Sequence, residues 1–112
     1  MESKAAYGNP PVQTPVTITV CGQAQPRSAS ISILNNGGAN FTATYACTLT
    51  FSPSCPFANG VGNDLTLVLG NNPESLKNPV TQQTYTYTVN PAKKPNQECP
   101  PTGDPFDVVI NP

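Results

Sequence analysis

The sequence predicts an all-β protein: an antiparallel β-sandwich of six to seven strands with an immunoglobulin-like or jelly-roll topology. Three observations carry that prediction. Apolar residues recur at every second position, the spacing that places them on one face of a strand. The longest case is residues 40–51, where Phe41, Ala43, Tyr45, Cys47, Leu49 and Phe51 alternate with Thr42, Thr44, Ala46, Thr48 and Thr50. No segment has a helical period of useful length, and turn residues separate the alternating runs at sandwich-like intervals. Finally, the 14 prolines lie almost entirely between those runs, where they stiffen loops and guard sheet edges.

Each element follows in turn. Residues 1–14 lack periodicity and contain Gly8-Asn9-Pro10-Pro11. They read as an extended N-terminal arm, leaving 15–112 as a single sandwich domain. Val16, Ile18 and Val20 alternate with threonines and give a first strand; Ala29, Ile31 and Ile33 alternate with serines and give a second. Asn35-Asn36-Gly37-Gly38 supplies the positive φ angles of a tight hairpin, so residues 40–51 are expected to pair with the strand before them. Residues 52–63 form a loop. Residues 64–69 form a strand whose centre, with Leu65, Leu67, Leu69 and Val68, is apolar on both faces. Residues 70–79 read as loop with one helical turn over 73–77, where Pro73 suits the first helical position and Glu74 the positive end. Tyr85, Tyr87 and Val89 oppose Thr84, Thr86 and Thr88 in a strand over 80–89. A second long loop covers 90–105. Phe106, Val108 and Ile110 make the last strand.

At 112 residues the chain holds one core with little to spare. Charged residues make up 10%, well below the usual value of about 25%, so the surface consists of Thr, Ser, Asn, Gln and Pro. The net charge is −1 and Arg27 is the sole arginine. Without a basic patch, nucleic acid is not expected as a partner, nor is an anionic membrane. No apolar run approaches the roughly 20 residues of a membrane helix, so no insertion is expected. The first residues lack the apolar core of a signal peptide. Either such a segment has been removed, or the protein leaves the cell by another route.

There are four cysteines, Cys21, Cys47, Cys55 and Cys99, with no C-x-x-C pair and no histidine. That argues against a zinc site. An even number in a small β chain suggests two disulfides and an extracellular, cell-surface or particle-surface setting. The expected pairing is Cys21–Cys47 with Cys55–Cys99, closing loops of about 27 and 45 residues for roughly 3.5 and 4 kcal/mol. Its close rival is Cys47–Cys55 with Cys21–Cys99, worth roughly 2.5 and 4.5 kcal/mol.

Catalytic chemistry finds few candidates. The absence of histidine excludes Ser-His-Asp and Cys-His arrangements. Asp104 and Asp107 read as turn and strand-start residues rather than a glycosidase pair. Asn63-Asp64 and Asp104/Asp107 lack the spacing of a calcium loop. Lys77, Lys93 and Lys94 lie in loop-like sequence, so a Lys–Asn crosslink, which needs a buried lysine, is not expected. Asn40-Phe41-Thr42 fits the N-glycosylation pattern at an exposed strand start. No enzyme activity, cofactor or metal is expected. Carbohydrate would suit such a surface, but no residue set supports it.

What remains is a protein built to pack or bind. Its threonine face (Thr42, Thr44, Thr48, Thr50 with Thr84, Thr86, Thr88) is flat and weakly charged. The arm would lie across a neighbouring copy, anchored by Tyr7, Val12 and Val16. The first expectation is therefore a non-enzymatic structural protein of an extracellular or particle surface, self-assembling as a filament, coat or decoration subunit through sheet edges and the arm. The alternative is a secreted binding module, an adhesin, inhibitor or effector. It would recognise a partner through disulfide-braced loops bearing Pro53, Phe57, Asn59, Lys93, Lys94 and Glu98.

Overall fold

A computed structural model describes residues 12–101 and 105–112. Among them are nine strands and no helix: β1 (Gln13–Ile18), β2 (Ala24–Gln25), β3 (Ser28–Ser32), β4 (Gly38–Ala43), β5 (Cys47–Ser52), β6 (Asp64–Leu67), β7 (Gly70–Ser75), β8 (Thr84–Asn90) and β9 (Phe106–Asn111). They form a four-stranded sheet in the order β2-β1-β4-β7 and a five-stranded sheet in the order β3-β9-β8-β5-β6. The two pack on one continuous core. Both sheets are mixed, not purely antiparallel, because β1 runs parallel to β4 and β3 parallel to β9.

The run over 40–51 is two strands, not one. β4 lies in the four-stranded sheet and β5 in the other, joined by residues 44–46. Phe41, Ala43, Tyr45, Cys47, Leu49 and Phe51 are nevertheless all buried. Both strands turn their inner faces to the same core, so the alternation passes through the crossover without a break. Thr44 holds the crossing: its hydroxyl donates to the Ile18 carbonyl at 2.8 Å.

The expected hairpin at residues 35–38 is likewise a crossover. Asn36 does take a positive φ of 53°, and the Gly37 N–H donates to the Ser32 carbonyl at 2.9 Å. The turn nonetheless carries the chain from β3 in one sheet to β4 in the other. In place of the expected helical turn over 73–77 is β7, the antiparallel partner of β4. The strand expected over 80–89 occupies Thr84–Asn90. Val20 lies beyond the end of β1, and Val68 and Leu69 lie beyond the end of β6. The structure places the start of β1 at Gln13, so the last residues assigned to the arm belong to the sheet, and Val16 is a core residue at 1% exposure.

Pro15 and Pro73 sit inside strands, where proline removes a ladder donor. Each occupies a tolerated place. β7 is an edge strand, and β1 at Pro15 has no partner on the side away from β4, since β2 pairs only with Thr17 and Ile18. Both prolines flank Asn40 across the sheet. They shelter it, and its Oδ1 is fully buried. Asn40 is thus half-buried, not the exposed glycosylation acceptor expected from the sequence.

The centre of the core is aromatic. Phe41 meets Phe57 edge-on at 5.5 Å between ring centroids and Tyr87 at 6.3 Å. Tyr87 also touches Phe51 at 4.9 Å and Phe106 at 5.8 Å. Its hydroxyl is buried without a hydrogen-bond partner, and burial, with Asp107 nearby, raises its pKa above the usual phenol range. An unpaired buried hydroxyl costs stability that a phenyl ring would not. Tyr87→Phe is therefore expected to stabilise the protein by about 1 kcal/mol, read as a higher urea midpoint with an unchanged slope. A lower midpoint would mean that the hydroxyl is bonded in solution.

Candidate functional site

The register assigns every loop to one of two ends. Val12 and residues 33–37, 53–63 and 76–83 gather where β1 and β4 begin and β5 and β7 finish. Residues 19–23, 44–46, 68–69 and 91–101 gather at the opposite end. We refer to these as the arm end and the disulfide end.

The two loops expected to form one recognition surface are separated by this geometry. Ser52 leads into residues 53–63 and pairs with Thr86, whereas Thr48 pairs with Asn90, which leads into residues 91–101. Four residue steps along β5, roughly 13 Å of strand, separate those positions. Pro53 and Asn59 are exposed at the arm end; Lys93, Lys94 and Glu98 are exposed at the disulfide end. Phe57 belongs to the core at 1% exposure. Tyr7 and Asp104 lie outside the described residues.

The cysteines follow the same division. The structure forms one disulfide, Cys21–Cys99, and leaves Cys47 and Cys55 free and buried. The expected Cys21–Cys47 and Cys55–Cys99 pairs are therefore corrected; of the rival pairing, Cys21–Cys99 is formed and Cys47–Cys55 is not. Cys47 opens β5 and Cys55 lies beyond its far end, so the two sulfurs cannot meet. Burial pushes the Cys47 thiol up to about 11 and the Cys55 thiol upward as well. In both, burial disfavours the thiolate that nucleophilic chemistry requires. Gly60 packs directly on the Cys55 sulfur, where a Cβ would have no room.

The Cys21–Cys99 bond has a built setting. The Lys94 N–H donates to the Val20 carbonyl at 2.8 Å. The Tyr45 hydroxyl donates to the Pro91 carbonyl at 2.7 Å, and burial raises its pKa to about 12, with Cys47 adding to the shift. Gly22 has a φ of +71° and lies against the Ala92 carbonyl, so no side chain fits there. These contacts bind the long loop to the turn after β1. The disulfide is compatible with an oxidising environment.

The threonine surface is also divided. Thr42 and Thr44 belong to β4 and the crossover. Thr42 donates to the Asn71 Oδ1 at 2.9 Å. Thr48, Thr50, Thr84, Thr86 and Thr88 lie on the outer face of the five-stranded sheet, in cross-strand rows such as Thr66–Thr48–Asn90 and Asp64–Thr50–Thr88. Thr50 donates to the Asp64 carboxylate at 2.9 Å, and Ser28 donates to that of Asp107. The result is a hydroxyl-rich face with little charge. Comparison with known protein families and with curated proteins finds no match to this chain.

At the arm end, a cavity of about 420 Å³ opens between the turn after β3 and the chain after β7. Ile33, Leu76 and Val80 give it an apolar wall, with Gly37 and Ser75 beside them and Lys77 at its border. Sequence reasoning missed this site. Its walls come from two loops 40 positions apart, and neither has a motif. Among the described residues, no three Cys, Asp or Glu side chains gather as a metal site, and no helix is long and apolar enough to cross a membrane. Arg27 stacks over the Phe106 ring at 5.1 Å.

Glu74 is the one buried carboxyl among the described residues, at 6% exposure. Its Oε1 accepts a hydrogen bond from the Asn59 side-chain amide at 3.1 Å. Burial raises its pKa, and the Asn59 bond partly offsets the shift. A raised folded-state pKa means the folded chain holds this proton more tightly than the unfolded one. The associated stability is present below the ordinary value of 4.5 and is lost as pH rises through the raised value. Glu74→Gln should therefore gain on the parent as pH rises from about 4 to about 7, measured as the difference in melting temperature. A constant difference would mean that Glu74 does not titrate on folding.

Proposed function

We propose that this chain is a non-enzymatic structural protein of an extracellular or particle surface that self-associates, as a filament, coat or decoration subunit. The observation that carries this reading is where the exposed large apolar side chains lie. Among the described residues they are Val12 (53% exposed), Leu34 (82%), Val61 (82%), Val68 (62%) and Leu69 (70%). The first three are at the arm end and the last two at the disulfide end. None is on the outer face of either sheet. Apolar ends between hydroxylated faces suit end-on contact between copies. The disulfide and the buried thiols favour durability outside the cell over reactivity. The binding-module alternative needed residues 53–63 and 91–101 on one surface, and it loses that support.

The finer fold reading belongs to the same proposal: the topology is immunoglobulin-like. β4, β5, β6, β7, β8 and β9 follow in the order of strands B, C, C′, E, F and G, with B and E in one sheet and C′, C, F and G in the other. The Tyr85 hydroxyl donates to the Thr81 carbonyl at 3.0 Å at the entry to β8. A tyrosine at the start of strand F bonded to backbone a few residues upstream is a tyrosine corner. The core tryptophan and the inter-sheet disulfide of antibody domains have no counterpart, so the likeness is one of architecture.

Sedimentation of the full chain across a range of concentrations, with electron microscopy of the same samples, tests the functional reading. Mass rising with concentration is the expected result. A monomer at every concentration would sink it.

A further inference from the structure

We propose that the cavity at the arm end is a binding site for a small carboxylate with an apolar tail, an alkyl monocarboxylate. The apolar wall holds the tail, and Lys77 with the amides at the border holds the head. This goes beyond the self-association proposed above and does not depend on it.

The walls are fixed before any ligand arrives. On one side the Ile33 N–H donates to the Asn111 carbonyl at 2.9 Å, the Asn36 N–H to that of Ile33 at 3.0 Å and the Gly37 N–H to that of Ser32 at 2.9 Å. On the other side Leu76 forms a bridge with Phe57. The Lys77 N–H donates to the Pro56 carbonyl at 2.9 Å, and the Ser75 carbonyl accepts from the Ala58 N–H at 2.8 Å. Ile33, Leu76 and Val80 also pack against the core. A pocket held in this way loses little freedom on binding, which favours affinity. Its volume of about 420 Å³ falls within the roughly 300–1,000 Å³ of small-molecule sites.

The same bonds decide what kind of ligand fits. An extended peptide docks by main-chain hydrogen bonds to an open edge. Here the carbonyls of Ser32, Ile33 and Ser75 and the N–H groups of Ile33, Asn36, Gly37 and Lys77 are already paired within the fold. Recognition therefore falls to side chains. Among the described residues, no aromatic ring lines the cavity, so a nucleotide base would find no stacking platform. The wall suits an aliphatic chain.

Charge then selects the head. Lys77 is the one charged side chain lining the cavity among the described residues. It is half-buried, and such a lysine covers apolar surface with its stem and keeps its ammonium in water. An ammonium offers three donors and no acceptor, and its hydrogen bond to a carboxylate is stronger than one to a neutral oxygen. Asn36 and Asn78 add amide donors. The nearest acid in the sequence, Glu74, does not compete for Lys77, since it is buried and its Oε1 accepts from Asn59. A cationic head would meet like charge.

The test titrates the ¹⁵N-labelled full chain with sodium octanoate below its micellar concentration at neutral pH. Saturable shifts are expected at the amides of Ile33, Gly37, Leu76 and Lys77, with a Kd of about 1 mM or tighter. Octylammonium chloride, with the same tail and the opposite charge, should bind roughly fivefold or more weakly. Sodium acetate, with the head and no tail, should not reach saturation. Lys77→Gln should weaken octanoate by roughly threefold to tenfold and leave octylammonium no weaker than in the parent. Octanoate shifts that stay linear, or that centre on Val68 and Leu69 at the other end, would overturn the site. Equal affinity for octanoate and octylammonium would overturn the carboxylate, and an unchanged octanoate Kd in Lys77→Gln would overturn the role of Lys77.

Discussion

Replacing both Cys21 and Cys99 by serine is expected to lower stability by about 4 kcal/mol. The bond spans 78 positions of a 112-residue chain. In the loop-entropy account a closure of that length is worth roughly 4.5 kcal/mol, an upper figure when the unfolded chain retains structure. Small domains are stable by about 5–15 kcal/mol, so most of the margin can rest on this one link. The melting temperature should fall by about 15 °C or more. Reducing the parent protein should reproduce the effect, because Cys47 and Cys55 have no bond to lose. Guanidinium unfolding with and without reductant measures it. A loss below about 1 kcal/mol would have a specific meaning: the Lys94–Val20 and Tyr45–Pro91 bonds would already hold the loop in place, in the unfolded ensemble as well as the native one.

The second large effect is expected at Asn72. Its side chain is 7% exposed and faces the core from β7. The Oδ1 accepts from the Val68 N–H at 2.9 Å. The Nδ2 lies 2.9 Å from the Val68 carbonyl, 2.9 Å from that of Gly70 and 3.1 Å from that of Phe41. Two hydrogens serve three acceptors, so one is shared. This one amide satisfies the backbone where the chain passes from β6 to β7 and changes sheet. Asn72→Ala would leave several buried groups unpaired, each costing about 1–3 kcal/mol, less where water enters. A total loss of about 3 kcal/mol is expected from urea unfolding. Asn72→Asp should be worse at neutral pH, since it removes both donors and buries a charge. If Asn72→Ala cost under about 1 kcal/mol, water would be taking the place of the amide.

Asn72 also explains what the sequence hid. β7 reads Gly-Asn-Asn-Pro-Glu-Ser, and its buried positions are Asn72 and Glu74. No apolar alternation marks it, because hydrogen bonds to Phe41 and Asn59 satisfy side chains that are usually exposed. β1, β3, β8 and β9 were legible because their inner faces are Val, Ile, Ala, Tyr and Phe at every second place. Residues 40–51 were legible as strand but not as two strands. Period-two alternation records which side faces the core, and both sheets face the same core. The turn at 35–38 was legible as a turn, yet positive φ angles serve a crossover as well as a hairpin. Cysteine spacing suggested oxidation but could not supply the fold that parts Cys47 from Cys55. The arm-end cavity had no local signature, being made where residues 33–37 and 75–80 converge.

The pairing of β3 with β9 has a consequence for how the protein is made. β3 ends at Ser32 and its partner strand ends at Asn111, whose carbonyl accepts the Ile33 N–H at 2.9 Å. A ribosome delivers the chain from its first residue onward. β3 therefore emerges before its partner and must wait until β9 has been made. Until β9 is free, β8 also presents an open edge with Tyr85 and Tyr87 uncovered. During synthesis the segment through β8 is thus a sheet with a strand missing, and the molecule closes on itself only after β9 has emerged.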